Sequence, residues 1–558
     1  MEKKNFKYLL IFIFILFTLT SSYPQIDSNG QCLTSSSNDC GGLKNIPTKT
    51  PGTSDYLRCL LIYITFPDDT LSSYQYSIWK NPFETQYPRP VNPYSGSNGH
   101  LIDSLVGNPN DPFMTRYNNY TLSDFFCEMS MGTFDVIGDE IAITLPHSSV
   151  YYDTVVNFGR PELNRYILKY IDSTRNIDWS RYDNWSKING NWVFGTSDNT
   201  AEMIIMNYRA FPNGDVWFWG SDGIGGEASL GNLSPITFGN VTIGCDNGIT
   251  ASNLRHATGR SEIILEHELS HKLFGGSIPK GIQNGIHINL GFMTSGHNET
   301  SYLYTPMERS APVIGYTPIN LINSTGIYTD TLPDFVESGI SFKIKIPGTS
   351  DDHVWIANHQ KKSLYDGIAR GGSTCYSINF AEIDPYCSDG KGLFIFREGD
   401  NCSNINQTYD ITSAEGKFTW DIDRTVSVPP QNYHHALGFS MPILKTLVGK
   451  RYSGKDKYNK HPAYPITNYG TWITENECSD LNNDFNISLS FRGDSFDPFN
   501  IGYEEIFSPY SNPSSSFCDS SLTGLTIALK EQNSTTGAII VKIYYNNDAQ
   551  ALIDLPPS

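Results

Sequence analysis

The sequence predicts an α+β protein, with a mixed α/β half followed by a β-rich half. Two observations carry that prediction. Up to Gly276, short apolar and β-branched runs alternate with segments whose apolar residues recur at helical spacing, the pattern of a twisted sheet covered by helices. Beyond residue 340, strand-like runs lie among glycine, proline and asparagine turns, and helical spacing is scarce. At 558 residues, with 39% hydrophobic and 13% aromatic content, the chain can bury sizeable cores in two or three domains.

Taken in order, residues 1–22 place Lys3, Lys4 and Lys7 before the apolar run Leu9–Phe17 and end in the small residues Thr20, Ser21 and Ser22. That run is too short to span a bilayer and reads as a secretory signal, so the mature chain is expected to start near residue 23. Residues 23–52 read as a flexible polar segment, 53–340 as a first domain and 341–558 as a β-rich second one. Cys59–Phe66 is apolar, β-branched and aromatic and is followed by Pro67, Asp68 and Asp69, which predicts a buried strand ending in a turn. Thr121–Gly132 reads as a short helix closed by glycine, and Thr133–Gly138 as a strand. Leu163, Ile167, Tyr170 and Ile171 follow helical spacing behind Pro161, a residue suited to a first turn. Met203–Met206 is a further buried strand.

In the second half, Val354–Ala357, Gly392–Phe396, the alternating Leu525, Ile527 and Leu529, and Ile539–Tyr544 read as strands. The last two flank Asn533–Gly537 as a hairpin, and the polar stretch 509–520 reads as a flexible loop.

A net charge of −19 argues against nucleic acid or an anionic membrane as partner. No second long apolar run follows the first, and the C-terminal Leu552–Ser558 lacks the apolar tail of a lipid-anchor signal, so a soluble, exported or endolysosomal protein is expected. Ten cysteines in an exported chain favour disulfides, with Cys32/Cys40 and the group Cys375, Cys387 and Cys402 near enough in sequence for local bridges. Asn119, Asn184, Asn232, Asn240, Asn298, Asn323, Asn401, Asn406, Asn486 and Asn533 each head an N-glycosylation triplet, which predicts a glycoprotein. Pro235 directly after the Asn232 triplet disfavours that one. Oligomeric state is not legible.

The chemistry is concentrated at Ser261–Gly275, which contains His267-Glu268-Leu269-Ser270-His271, an H-E-x-x-H motif. Positions i and i+4 of a helix share a face, so two imidazoles there can meet one metal ion. Glu268 is turned roughly 100° from His267 by the helical period, too far to join as a ligand but placed to reach a metal-held water as a general base. Ile263, Ile264, Leu265, Leu273 and Phe274 supply apolar anchoring, and Gly275-Gly276 can stop the helix. A core helix with hydrogen-bonded histidines is the plainer alternative.

A catalytic zinc ion usually takes three protein ligands. In the metzincin pattern a third histidine follows the second by six residues, but that position here is Ser277. His287 is the favoured third ligand, because Gly275-Gly276 lets the chain turn back early; His297 and Glu308 are the other candidates. Met293, between Gly291 and Gly296, suits either an apolar floor under the imidazoles or ordinary core filling. Asp494 and Asp497 have the oxygen chemistry calcium takes, and solvated turns explain them equally well.

The motif has company. Phe66-Pro67-Asp68 after a strand, Leu122–Gly132 ahead of a strand, Gly291–Gly296, Met307–Tyr316, Asn358–Lys361 with Tyr365-Asp366, Gly392–Phe396 and Phe507–Pro513 follow in an order that resembles the immune inhibitor A family of secreted metallopeptidases. The resemblance covers most of the mature chain. It implies a metzincin-like catalytic domain over 53–340, with His267 and His271 on one zinc ion, Glu268 as general base and Met293 as the turn methionine. The expected activity is zinc-dependent endopeptidase hydrolysis of protein or peptide substrates. A catalytically silent relative serving as an exported binding or adhesion module is the alternative, and a zinc hydrolase of another substrate class is a more distant one.

Overall fold

A strand with apolar residues at every position can be buried on both faces only at the centre of a sheet whose two sides are both covered. β1 (Leu57–Thr65) comes close to that: all nine residues are buried, and all but Arg58 and Thr65 are apolar or aromatic. It belongs to a computed structural model that describes residues 56–68, 102–108, 111–115, 122–132, 134–156, 158–208, 225–231, 233–252, 261–274, 306–310, 318–321, 326–360, 362, 391–399, 409–412, 414, 418–423, 446–451, 498–511, 513–517, 521–546 and 548–554. Thr53–Asp124 and Asp135–Gly276 belong to one compact unit, and Phe125–Phe134 and Ser277–Ser558 to a second.

In the first unit β1 is flanked by further strands, β2 (Asp103–Asn108), β3 (Asp111–Thr115) and β4 (Val136–Thr144), with a hairpin of β5 (Trp185–Ile188) and β6 (Asn191–Phe194) apart from them. β7 (Met203–Tyr208), β8 (Gly225–Glu227), the hairpin β9 (Ile236–Phe238) and β10 (Val241–Ile243), and β11 (Gly248–Ser252) follow. The main sheet has seven strands in the order β3-β2-β4-β1-β7-β11-β8. β2, β4, β1, β7 and β11 run parallel, and the end strands β3 and β8 run antiparallel to their neighbours. Parallel strands need crossover connections, and the helix Arg160–Arg175 lies in the one between β4 and β7.

The helices obey local signals. α1 (Leu122–Met129) stops where Met131 and Gly132 take positive φ. α2 (Arg160–Arg175) begins with Pro161 in its first turn and ends on Asn176 in the left-handed region. Its buried residues Leu163, Ile167, Leu168 and Ile171 pack with Leu60, Ile62, Ile64, Ile204 and Met206 in one core. Inside that core Asn164 is fully satisfied: its amide donates to the Leu230 carbonyl and the Thr250 hydroxyl, and its oxygen accepts from the Tyr208 hydroxyl at 2.6 Å. Asp68, in the turn after β1, takes the Ser149 N–H at 2.8 Å and its hydroxyl at 2.9 Å, tying the end of β1 to the loop after β4.

Glu202, beside β7, is buried and accepts the backbone N–H groups of Asn184 and Trp185, both at 2.9 Å, which anchors the β5–β6 hairpin. Desolvation, assisted by Asp183 and Asp198, outweighs those two hydrogen bonds and pushes its carboxyl up to about 8. With the folded value above the unfolded one, this group stabilises most in acid and its contribution is lost as pH rises from about 4.5 to about 8. The wild type's melting-temperature advantage over Glu202→Gln is therefore expected to be greatest near pH 5 and to shrink, by an amount on the order of a few kcal/mol in stability, towards pH 9. An advantage that grows with pH would contradict this burial account.

The second unit holds short helices α4 (Pro306–Arg309) and α5 (Phe335–Ser338), and α6 (Asp548–Asp554) near its end. Between them run β12 (Ile319–Leu321), β13 (Gly326–Leu332), β14 (Phe342–Lys345), β15 (His353–His359), β16 (Gly392–Glu398) and β17 (Tyr409–Thr412). The pair β18 (Phe418–Asp423) and β19 (Thr446–Arg451) is followed by β20 (Ile506–Phe507), β21 (Leu525–Gln532) and β22 (Ile539–Tyr545). Two sheets, β12-β14-β15-β16-β17 and β13-β22-β21-β20, supply one shared core that includes Ile344, Val354, Ile356, Leu393 and Ile395 from the first and Leu332, Ile527, Ile539, Val541 and Ile543 from the second. α5 is capped by Asp334, whose carboxylate accepts from Val336 and Glu337.

The chain is thus mixed, with few helices and several sheets. Strands expected at 203–206, 354–357, 392–396 and 539–544 are present and extend by one or more residues, and the one expected at 59–66 spans Leu57–Thr65. The strand expected at Thr133–Gly138 instead spans Val136–Thr144, because its pairing with β1, not its local composition, sets its length. The stretch read as a flexible loop at 509–520 is held where described: Arg397 donates to the Ser514 and Ser516 carbonyls, and Ser515 is buried with its hydroxyl on the Leu525 carbonyl. Cys59 is a buried thiol whose pKa burial raises, and no disulfide joins any two of the described cysteines, Cys59, Cys127 and Cys245. The signal segment 1–22, residues 23–52 and the local bridges expected from Cys32, Cys40, Cys375, Cys387 and Cys402 lie outside the described residues. Among the described residues no helix is long and apolar enough to cross a membrane.

Candidate active site

The H-E-x-x-H segment is helical: among the described residues α3 spans Ser261–Phe274. Leu265, Leu269 and Leu273, one turn apart, are buried, and the helix packs on β11 and on β8, the terminal strand of the sheet. Each such leucine contributes about 1.5–3 kcal/mol of burial at most. That anchoring explains why the segment is helical and where it sits.

It does not explain the polar residues. Glu266, Glu268, Ser270, His271 and Lys272 are buried along with the leucines, His271 to 5% and Glu268 to 2% exposure. Burying ionisable groups is costly, so helices rarely carry several inside without a chemical use for them. Two are held in place. Ser270 donates to the Glu266 carbonyl at 2.7 Å, and the Lys272 ammonium donates to the Asp246 carbonyl at 2.9 Å with the Asp246 carboxylate 3.8 Å away.

Glu268 differs. Its Oε1 is buried with no hydrogen-bond donor among the described residues, and desolvation pushes its carboxyl up to about 8, against the opposing fields of Arg160 and Lys272. Arg160, at the start of α2, is itself held by an ion pair with Glu227 of β8, and Glu227 also accepts from the Ser229 hydroxyl. A carboxylate poised near neutrality, with an oxygen left for another partner, has the protonation behaviour a general base needs.

Positions 267 and 271 lie one helical turn apart on α3, the spacing a shared metal ion requires. The His267 side chain, His287, Met293, His297, Asp494 and Asp497 lie outside the described residues. Glu308 is described, wholly buried in α4, where the neighbouring Arg309 donates to the Phe335 and Val336 carbonyls and stacks over the Phe335 ring at 5.1 Å. Among the described residues no group of three or more His, Cys, Asp or Glu stands together as a metal cluster. The donor types on α3, with the orphaned Glu268 oxygen beside them, fit a zinc ion.

Sequence reading missed Arg160, Glu227 and the Lys272–Asp246 tie. No local signal marks them, because Arg160 and Glu227 are 67 positions apart in number and meet only through the sheet. No known family model matches the chain, and no curated protein matches it.

Proposed function

We propose that the protein is an exported zinc-dependent endopeptidase, resembling the immune inhibitor A family, with a metzincin-like catalytic domain. The observation that carries the reading is the buried H-E-x-x-H helix with Glu268 held near neutrality and short of a hydrogen-bond donor. His267 and His271 would hold one zinc ion, with His287 the favoured third donor and His297 or Glu308 the others. Zinc, when bound, acidifies its water to a pKa of about 7 and polarises the substrate carbonyl.

The chain's own residues do the rest. Glu268 takes the proton from the attacking water and delivers it to the leaving amine. Arg160, fixed by Glu227, and Lys272, fixed by Asp246, lower the cost of the Glu268 carboxylate before it takes that proton. β8 ends the sheet among the described residues and contacts α3, so its outer edge suits an extended peptide pairing by backbone hydrogen bonds.

The test is zinc content together with casein or gelatin cleavage. One zinc per chain is expected, with cleavage abolished by a chelator and restored by added zinc, and with both lost in His271→Ala. A folded protein with neither zinc nor cleavage would instead be an exported binding or adhesion glycoprotein.

A further inference from the structure

Three asparagines that head glycosylation triplets lie among the described residues, and their surroundings differ. Asn240 is exposed in the two-residue turn between β9 and β10, where Gly239 takes the positive φ of 59° that the first central position demands. Phe238 and Val241 pin this hairpin to the core, which turns Asn240 and Thr242 to the other face, where the Thr242 hydroxyl meets that of Thr237 at 3.1 Å.

Asn533 is exposed in the loop between β21 and β22, as are Ser534, Thr535 and Thr536. Its Oδ1 accepts the N–H groups of Thr535 and Thr536, both at 2.9 Å. With the oxygen turned into the loop, Nδ2 is the end left towards water.

Asn184 is different. Its Nδ2 donates to the Arg181 carbonyl at 2.6 Å, its backbone N–H is held by Glu202, and the next two residues, Trp185 and Ser186, are buried, Ser186 bonding Thr196 at 2.6 Å. A branched glycan on Nδ2 would compete with its bond to the Arg181 carbonyl and crowd the buried Trp185 and Ser186.

We propose that Asn240 and Asn533 carry N-linked oligosaccharides and that Asn184 stays bare. The proposal rests on the reading of the chain as exported. In the transfer, Nδ2 forms a bond to the anomeric carbon of a lipid-diphosphate-linked oligosaccharide. The bond from that carbon to the phosphate oxygen breaks, the lipid diphosphate leaves with the electron pair, and the amide proton passes to a base.

The full chain is secreted from eukaryotic cells, stripped of N-glycans by an amidase in heavy-oxygen water, digested and mapped by mass spectrometry. Labelled aspartate is expected at positions 240 and 533 and not at 184. Asn240→Gln and Asn533→Gln should each remove one glycan step in gel mobility, and Asn184→Gln none. Label at 184, or its absence at 240 or 533 while another triplet such as Asn401 is occupied, overturns the proposal alone. Absence of label from every triplet overturns the export reading with it.

Discussion

Glu268→Gln is expected to leave a folded, zinc-binding protein whose peptide-bond cleavage falls by about 10²–10⁴-fold. The amide keeps the shape of the carboxyl but cannot take a proton from water. The same substitution has a stability signature that reports the burial of the carboxylate. In the metal-free protein burial raises this carboxyl to about 8, so the charged form opposes folding. Its penalty is absent below about pH 4.5, grows through the interval and is complete above about pH 8. The amide carries no such penalty. Metal-free Glu268→Gln should therefore match the wild type near pH 5 and melt higher at pH 9. Undiminished cleavage would refute the role of Glu268, and a variant that melts lower at pH 9 would refute the burial argument. A site that gives up stability for chemistry is expected to behave in this way.

The second large effect concerns the sheet beneath the site. Gly138 of β4 sits opposite Cys59 of β1, and a Cβ added there would meet the backbone carbonyl of Cys59. Neither strand can retreat, because β1 is held on its other side by β7 and every residue of β1 is buried. Gly138→Ala is expected to cost more than about 4 kcal/mol, lowering the melting temperature by roughly 10 °C or more, or preventing soluble expression. Gly244→Ala serves as the control, since its Cβ would meet nothing closer than 3.4 Å; a shift within about 1 kcal/mol is expected there. Equal effects at the two positions would show that close strand approach is not what demands glycine at 138.

Some of this was legible in advance. The H-E-x-x-H spacing is a statement about one turn of one helix, so it can be read wherever a helix can be recognised, and α3 is where it was expected. The apolar run at 59–66 likewise announces a strand buried on both faces. Shorter strands such as β8 and β10, with three residues each, carry too little pattern to be seen, and they exist because a neighbour pairs with them. Phe66-Pro67-Asp68 was conspicuous as a motif, but what Asp68 does was not, since Ser149 lies 81 residues away.

The sequence by itself determined the helical spacing of His267 and His271, the acidic Glu268 beside them, and the mixed, strand-rich character of the chain, because each follows from residue type and local period. Only the tertiary structure decided that Glu268 is buried and pushed towards neutrality, that Arg160 and Lys272 oppose that shift, and that the Asn184 amide, half-buried, is tied to the Arg181 carbonyl while Asn240 is exposed. Desolvation and charge depend on which distant segments close over a residue, and that is set by strand pairing and packing across the fold.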